Sequence, residues 1–291
     1  MSIILNGKDT SEKIKLNLKQ KCDNLFKLKN IQPTLAIVIV GDDPASQIYV
    51  ASKERSCAQV GIISKTIRLC ASATQADVEQ AVTLLANDKS INGLMVQLPL
   101  PIGLDENKIL AKIPAEKDVD GLTLLSGGAC LFSQTGFTPC TPKGIITILK
   151  EYNISFKGKN AVVVGRSNMV GKPIALKLLE ENCTVTICHS RTENLANHTK
   201  NADILVVAVG KKHLITGEMI KPGAVVVDVG INRVDGKLYG DVHFDSAEKI
   251  ASFITPVPGG IGPMTVTMLL TNTYEACLKQ NGLNDEFWYR I

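Results

Sequence analysis

Four short, almost wholly apolar runs that end in glycine constrain this chain more than any other feature: TLAIVIVG at 34–41, NAVVVG at 160–165, ADILVVAVG at 202–210 and GAVVVDVG at 223–230. A strand that is apolar at nearly every position is covered on both faces, the condition of a parallel strand inside an α/β sheet. Helical patterns separate these runs. Residues 11–28 read as an amphipathic helix, and ASQIYVASKERSCAQVG carries a second helix to a stop at Gly61. Residues 64–69 read as a strand, Thr74 and Asp77 open another helix as a capping box, and GLMVQLPLP from Gly93 supplies a further strand. Crossovers of this kind are right-handed, and ligands of such sheets gather beyond the carboxyl ends of the strands. Functional side chains are therefore expected at strand ends.

Between about residues 114 and 142 the periodicity lapses into Gly, Pro and Thr, which marks an interdomain region. A second alternation follows, with helices at 143–152 and 172–181 and strands at 160–165, 184–188, 202–210 and 223–230. After the loop TPVPGGIGPMT, a helix over about 266–279 is long enough to return to the first half. The expected fold is α/β, as two three-layer αβα domains with a cleft between them. Residues 1–138 and 266–291 would form the catalytic domain, and 139–265 a Rossmann-like one.

Charged residues make up 21% of the chain, and the net charge of +4 comes from scattered residues of both signs. That pattern speaks against nucleic acid or a membrane surface as partner and suits small anionic ligands. The first fifteen residues lack the basic start and long apolar stretch of a signal peptide, and no apolar run approaches membrane-spanning length. The eight cysteines show no C-x-x-C pairing, so they read as reduced core thiols of a cytoplasmic protein. Cys188 beside His189 lacks a second ligand pair, and no metal is expected.

GRSNMVGKP at 165–173 follows a strand and opens a helix, so Gly165 can turn tightly while amides at the helix start face a phosphate. Ser167 stands where the usual dinucleotide fingerprint has its second glycine, and such a turn also serves simply as a packing device. The next strand ends in CHSRT, where NAD enzymes place an acid for the ribose diol; Ser190 and Arg191 stand there instead. With Arg166 in the neighbouring turn, three donors can converge on a ribose 2′-phosphate, which favours NADP. Ile231, after the strand that ends at Asp228, is placed to meet the nicotinamide.

In the first half, Tyr49 and Lys53 share a helix face at i, i+4, although a half-buried tyrosine and a snorkelling lysine are ordinary on amphipathic helices. Gln97 lies within the apolar run LMVQLPLP, where a buried amide needs a partner that Lys53 can supply. Asp118 and Asp120 in KDVDG are candidates for ligand binding or for turn formation. Gly259 and Gly260 permit close backbone approach, although turn geometry alone explains them equally well, and Pro263, Met264 and Thr265 are placed to complete a pocket.

Taken together, Tyr49-x-x-x-Lys53, VQLPLP at 96–101, KDVDG at 117–121, GRSxxVGKP and PVPGGIGPMT resemble the bifunctional methylenetetrahydrofolate dehydrogenase/methenyltetrahydrofolate cyclohydrolase family, from about residue 3 to 279. The tail NGLNDEFWYRI alone looks idiosyncratic, its aromatic residues expected to pack on a neighbour or to be disordered. The resemblance implies oxidation of 5,10-methylenetetrahydrofolate by NADP and hydrolysis of the methenyl product to 10-formyltetrahydrofolate, by a homodimer. It implies that Lys53 is catalytic, Gln97 its partner, Tyr49 a stacking wall and Asp120 the pterin anchor, with Leu98, Pro258, Gly259 and Gly260 also at the substrate. Gly165, Arg166, Ser167, Ser190, Arg191 and Ile231 are the implied cofactor residues. A dehydrogenase without hydrolase activity would have lost the Lys53 and Gln97 pair. A noncatalytic NADP-binding regulator on this fold would bind cofactor without turnover.

Overall fold

The computed structural model describes residues 2–283. The first part of the chain runs β1 (Ile3–Ile4), α1 (Gly7–Lys29), β2 (Thr34–Val40), α2 (Pro44–Val60), β3 (Ile63–Leu69), α3 (Gln75–Asn87) and β4 (Gly93–Val96). There follow α4 (Glu106–Leu110), α5 (Leu124–Leu131), α6 (Cys140–Glu151), β5 (Asn160–Val164), α7 (Gly171–Glu180), β6 (Thr184–Cys188) and α8 (Leu195–Thr199). The last part comprises β7 (Ile204–Val207), β8 (Val225–Asp228), β9 (Asn232–Val234), β10 (Lys237–Tyr239), α9 (Phe244–Ala247), β11 (Phe253–Ile254) and α10 (Ile261–Gln280). Among the described residues no helix is long and apolar enough to cross a membrane.

Two compact units result. Among the described residues, one contains 13–140 with 266–283, and the other contains 2–12 with 141–265. In the first, β2 is the centre of a parallel sheet ordered β3-β2-β4, and all seven of its residues are buried, as its unbroken apolar run requires. Helix α3 starts with the capping box expected at Thr74 and Asp77, each side chain accepting from the other's backbone N–H. In the second unit six parallel strands run β1-β11-β8-β7-β5-β6, and β9 and β10 form a separate antiparallel hairpin. Val162 and Val164 of β5, Leu205 and Val207 of β7 and Val226 of β8, all buried, pack together in its core.

Three expectations need correction. Residues 2–12 do not group with the first half, because Ile3 and Ile4 pair with Phe253 and Ile254 and add a sixth strand to the second sheet. The Gly- and Pro-rich stretch at 114–142 is not irregular throughout: Thr123 accepts from Ser126 N–H and starts α5. The last helix begins at Ile261 rather than near 266, so the glycine-rich loop runs straight into its first turn. Residues 284–291, which hold the aromatic tail, lie outside the described residues.

Candidate active site

Helix α2 places Tyr49 and Lys53 one turn apart. Its start is fixed by Pro44 and by Asp43, which accepts from Ser46 N–H, and its end by Gly61 in the left-handed conformation at φ 80°. Lys53 Nζ donates to Gln97 Oε1 at 2.9 Å. Gln97 is 8% exposed, just beyond β4, and its backbone N–H on Val38 O continues the β2 ladder, so strand pairing sets its position. Its Nε2 donates to Leu98 O at 2.6 Å, which satisfies both ends of the buried amide. Tyr49 is 45% exposed and presents an open ring.

The KDVDG segment separates into scaffold and functional group. Asp118 is buried and accepts from Gly121, Leu122 and Thr123 N–H and from Ser126 Oγ, so it builds the turn. Lys117 Nζ donates to Ala86 O and Asp88 O at the end of α3, which anchors the same segment. Asp120 is left to act on Lys53. Burial pushes the Lys53 ammonium below its ordinary pKa, against the attraction of Asp120. It pushes the Asp120 carboxyl above its ordinary pKa, with Asp118 adding to the rise and Lys53 and a hydrogen bond with Cys140 opposing it.

Two residues here were not identified from sequence. Cys140, taken for an ordinary core thiol, touches Asp120 and donates to Val119 O at 3.3 Å. Asn272, fully buried in α10, donates to Val119 O at 2.8 Å and so holds the peptide before Asp120. An amide inside the apolar run of α10 was the available signal, the same logic that singled out Gln97.

In the other unit, β5 pairs β6 with Val164 opposite Cys188, and Gly165 N–H continues the ladder to Cys188 O. That register puts Arg166, Ser190 and Arg191, all exposed, just past two adjacent strand ends. No carboxylate lies between Thr184 and Thr192, so this donor set fits a 2′-phosphate better than a free ribose diol. Gly165 has φ 129°, and a Cβ there would lie 2.2 Å from Ala208 O, so only glycine makes this turn. The expectation of free amides at the start of α7 is corrected: Ser167 Oγ accepts from Val170 and Gly171 N–H, both at 3.2 Å. Having accepted twice, the Ser167 hydroxyl keeps its hydrogen to donate to an anion. Ile231 is 47% exposed beyond the end of β8, an apolar surface suited to a flat ring.

The residues at 258–264 divide otherwise. Gly259 O accepts Lys8 N–H at 2.9 Å, and a Cβ on Gly7 would fall 1.7 Å from Gly260 O. The close approach of α1 to this loop is thus permitted by Gly7, whereas a Cβ on Gly260 would lie 2.5 Å from Pro256 O within the loop itself and Gly259 turns at φ 102°. Pro258 is exposed, and Met264 is fully buried beside Gly144, a packing role. Thr265 Oγ1 shares a hydrogen bond with Thr141 Oγ1, and Pro263 O accepts from Ser11 Oγ.

A family model described as tetrahydrofolate dehydrogenase/cyclohydrolase, catalytic domain, matches residues 5–120, and the NAD(P)-binding domain model of the same family matches residues 139–281. The bifunctional protein FolD of Oceanobacillus iheyensis is 52% identical over 286 residues, 98% of this chain and 99% of its own. The crystal structure of the bifunctional enzyme FolD from Campylobacter jejuni superposes with a TM-score of 0.95 at 44% identity, over 97% of this chain and 100% of that one. That of the Trypanosoma brucei methylenetetrahydrofolate dehydrogenase-cyclohydrolase, complexed with NADP cofactor and inhibitor, gives 0.91 at 35% identity over 100% and 99%. Two family models in the right order, and relatives matched along nearly their whole length, lead to one conclusion: the chain belongs to the tetrahydrofolate dehydrogenase/cyclohydrolase family.

Proposed function

We infer that this protein oxidises 5,10-methylenetetrahydrofolate with NADP and hydrolyses the methenyl product to 10-formyltetrahydrofolate, two steps of one-carbon metabolism. The observation that carries the reading is the half-buried Lys53, its amine 2.9 Å from Gln97 Oε1 and biased toward its neutral form.

Asp120 accepts the ring N–H and amino donors of the pterin through its two carboxylate oxygens, and the open ring of Tyr49 covers the planar substrate. NADP, held by Arg166, Ser167, Ser190 and Arg191, would supply the acceptor for the hydride that leaves the methylene carbon. The methenyl group then carries a positive charge over two nitrogens and the bridging carbon, which repels an ammonium at Lys53. Pterin donors on Asp120 hold that carboxylate ionised, so substrate shifts the pair to neutral Lys53 and anionic Asp120. Gln97 Oε1 accepts one amine hydrogen and so aims the lone pair of Lys53. Neutral Lys53 takes a proton from the water that attacks the methenyl carbon. Arg166, Ser190 and Arg191 bind the 2′-phosphate, Ser167 donates to the cofactor diphosphate, Gly165 gives the turn its shape, and Ile231 packs on the nicotinamide.

The same reading includes a homodimer. Edge strand β6 leaves Ile187 42% exposed and the neighbouring α7 leaves Leu179 59% exposed, an apolar edge that a second copy would cover. It also includes a reducing, cytoplasmic setting, which suits thiols whose burial pushes Cys22 and Cys57 up to about 12.

Turnover with each cofactor tests the proposal. With methylenetetrahydrofolate as substrate, NADP should support reduction of the nicotinamide at far lower concentration than NAD, with the methenyl absorbance staying low as hydrolysis consumes it. No turnover with either cofactor, or steady accumulation of the methenyl compound, refutes the corresponding half of the reading.

A further inference from the structure

Two carboxylates that no step above uses lie inside the second unit. Asp241 is 0% exposed and Asp228 4%. Asp241 Oδ2 accepts from the backbone N–H of Val209 at 2.7 Å and of Gly210 at 2.9 Å, and its Oδ1 from Lys211 N–H at 2.8 Å and Asn232 Nδ2 at 2.9 Å. Asp228 Oδ1 accepts from Gly230 and Asp241 N–H and its Oδ2 from Val242 N–H, all at 2.9 Å. The packing leaves no slack. A Cβ on Gly230 would lie 2.3 Å from Asp241 Cγ, and one on Gly240 1.8 Å from Asp228 Oδ2.

What these bonds fix is specific. Residues 209–211 follow β7 and Gly230 and Ile231 follow β8, so the two loops lie beyond the carboxyl ends of adjacent parallel strands. In a trans peptide the C=O of one residue points opposite to the N–H of the next. Three successive N–H groups turned onto Asp241 therefore turn the Val209 and Gly210 carbonyls away from it. Oriented carbonyls of this kind are acceptors for the hydroxyl and carboxamide donors of a dinucleotide. Asn232, bonded to the same carboxylate, ties the backbone beside Ile231 to this arrangement.

We propose that Asp241 is a positioning residue for the cofactor: it shapes the loops after β7 and β8 into a binding rim, and Asp228 holds Asp241 in place. The proposal rests on the NADP reading above. A side chain that only stabilised the fold would support both activities alike, whereas this role concerns oxidation and not hydrolysis, which moves no hydride.

Asp241→Asn keeps the shape but sets an NH2 group against N–H donors. Its Kd and KM for NADP should rise about tenfold or more, as expected for loss of charge-assisted hydrogen bonds. Hydrolysis of methenyltetrahydrofolate, measured without NADP, should stay within about twofold of wild type on the same grounds. Should Asp241→Asn not fold, Asn232→Ala decides: it removes one of the four bonds and should raise the NADP KM by roughly threefold or more, again with hydrolysis preserved. Unchanged NADP affinity in the folded variants, or an equal fall in both activities, overturns the proposal. Wild-type protein that does not bind NADP refutes the cofactor reading itself and this inference with it.

Discussion

Burial drives Lys53 and Asp120 the same way, each toward its neutral form, while their mutual attraction, together with a hydrogen bond between Cys140 and Asp120, favours the charged forms. Substrate can therefore choose the charge state, at little cost to an already destabilised ammonium. Lys53→Met removes the amine and keeps much of its volume, so hydrolysis should fall by about 10²-fold or more while oxidation suffers less. The variant should release the methenyl compound, seen by its own absorbance. In the wild type the hydrolysis rate should climb with pH as Lys53 loses its proton and level off below 10.5, the ordinary lysine value. Lys53→Arg, which cannot deprotonate in the working range, should show no such rise. A rate in Lys53→Met equal to wild type, with NADP binding intact, would remove Lys53 from the mechanism.

Pairing Val164 with Cys188 sets Arg166 and Arg191 beyond neighbouring strand ends, and on the proposed reading that register is what selects NADP. Replacing both by Ala should cost about 1.5–3 kcal/mol each in NADP binding and much less in NAD binding, and equal losses for the two cofactors would refute the assignment. Elements of this kind were readable because long apolar runs, capping boxes and glycine stops act locally: α2, α3, β2, β5 and β6 lie where the pattern puts them. The two-residue strands β1 and β11 were not readable, since a strand so short has no period and exists only through its partner. Helix α5 hid behind two glycines that lower its propensity, and its Thr123 cap went unread. In the site, types with a buried polar cost stood out, as Gln97 did. Spacing alone did not separate Asp118 from Asp120, because both sit in one turn sequence; the family resemblance pointed to Asp120, and the hydrogen bonds give the reason, since Asp118 is spent on the turn. Asp241 escaped notice because its partners are backbone amides, which no side-chain pattern records.

At the scale of the molecule, the second unit takes its sixth strand from the beginning of the numbering. Leu5 is fully buried there, with its N–H on Ile254 O at 2.8 Å. Leu5→Ala should cost about 2–5 kcal/mol, and the loss should appear in the unfolding transition that NADP raises. An effect confined to a transition indifferent to NADP would place residues 2–12 with the other unit. Pairing Ile3 with Phe253 also has a meaning in time. At ~5–20 residues per second, a ribosome makes the partner strand on the order of 10–50 s after the first. Throughout that interval the first strand has no edge to join, and the six-stranded sheet closes only once residue 254 has emerged. Completion of the cofactor unit thus waits on residue 254, and a stall anywhere before that point leaves an unfinished sheet edge open to other chains.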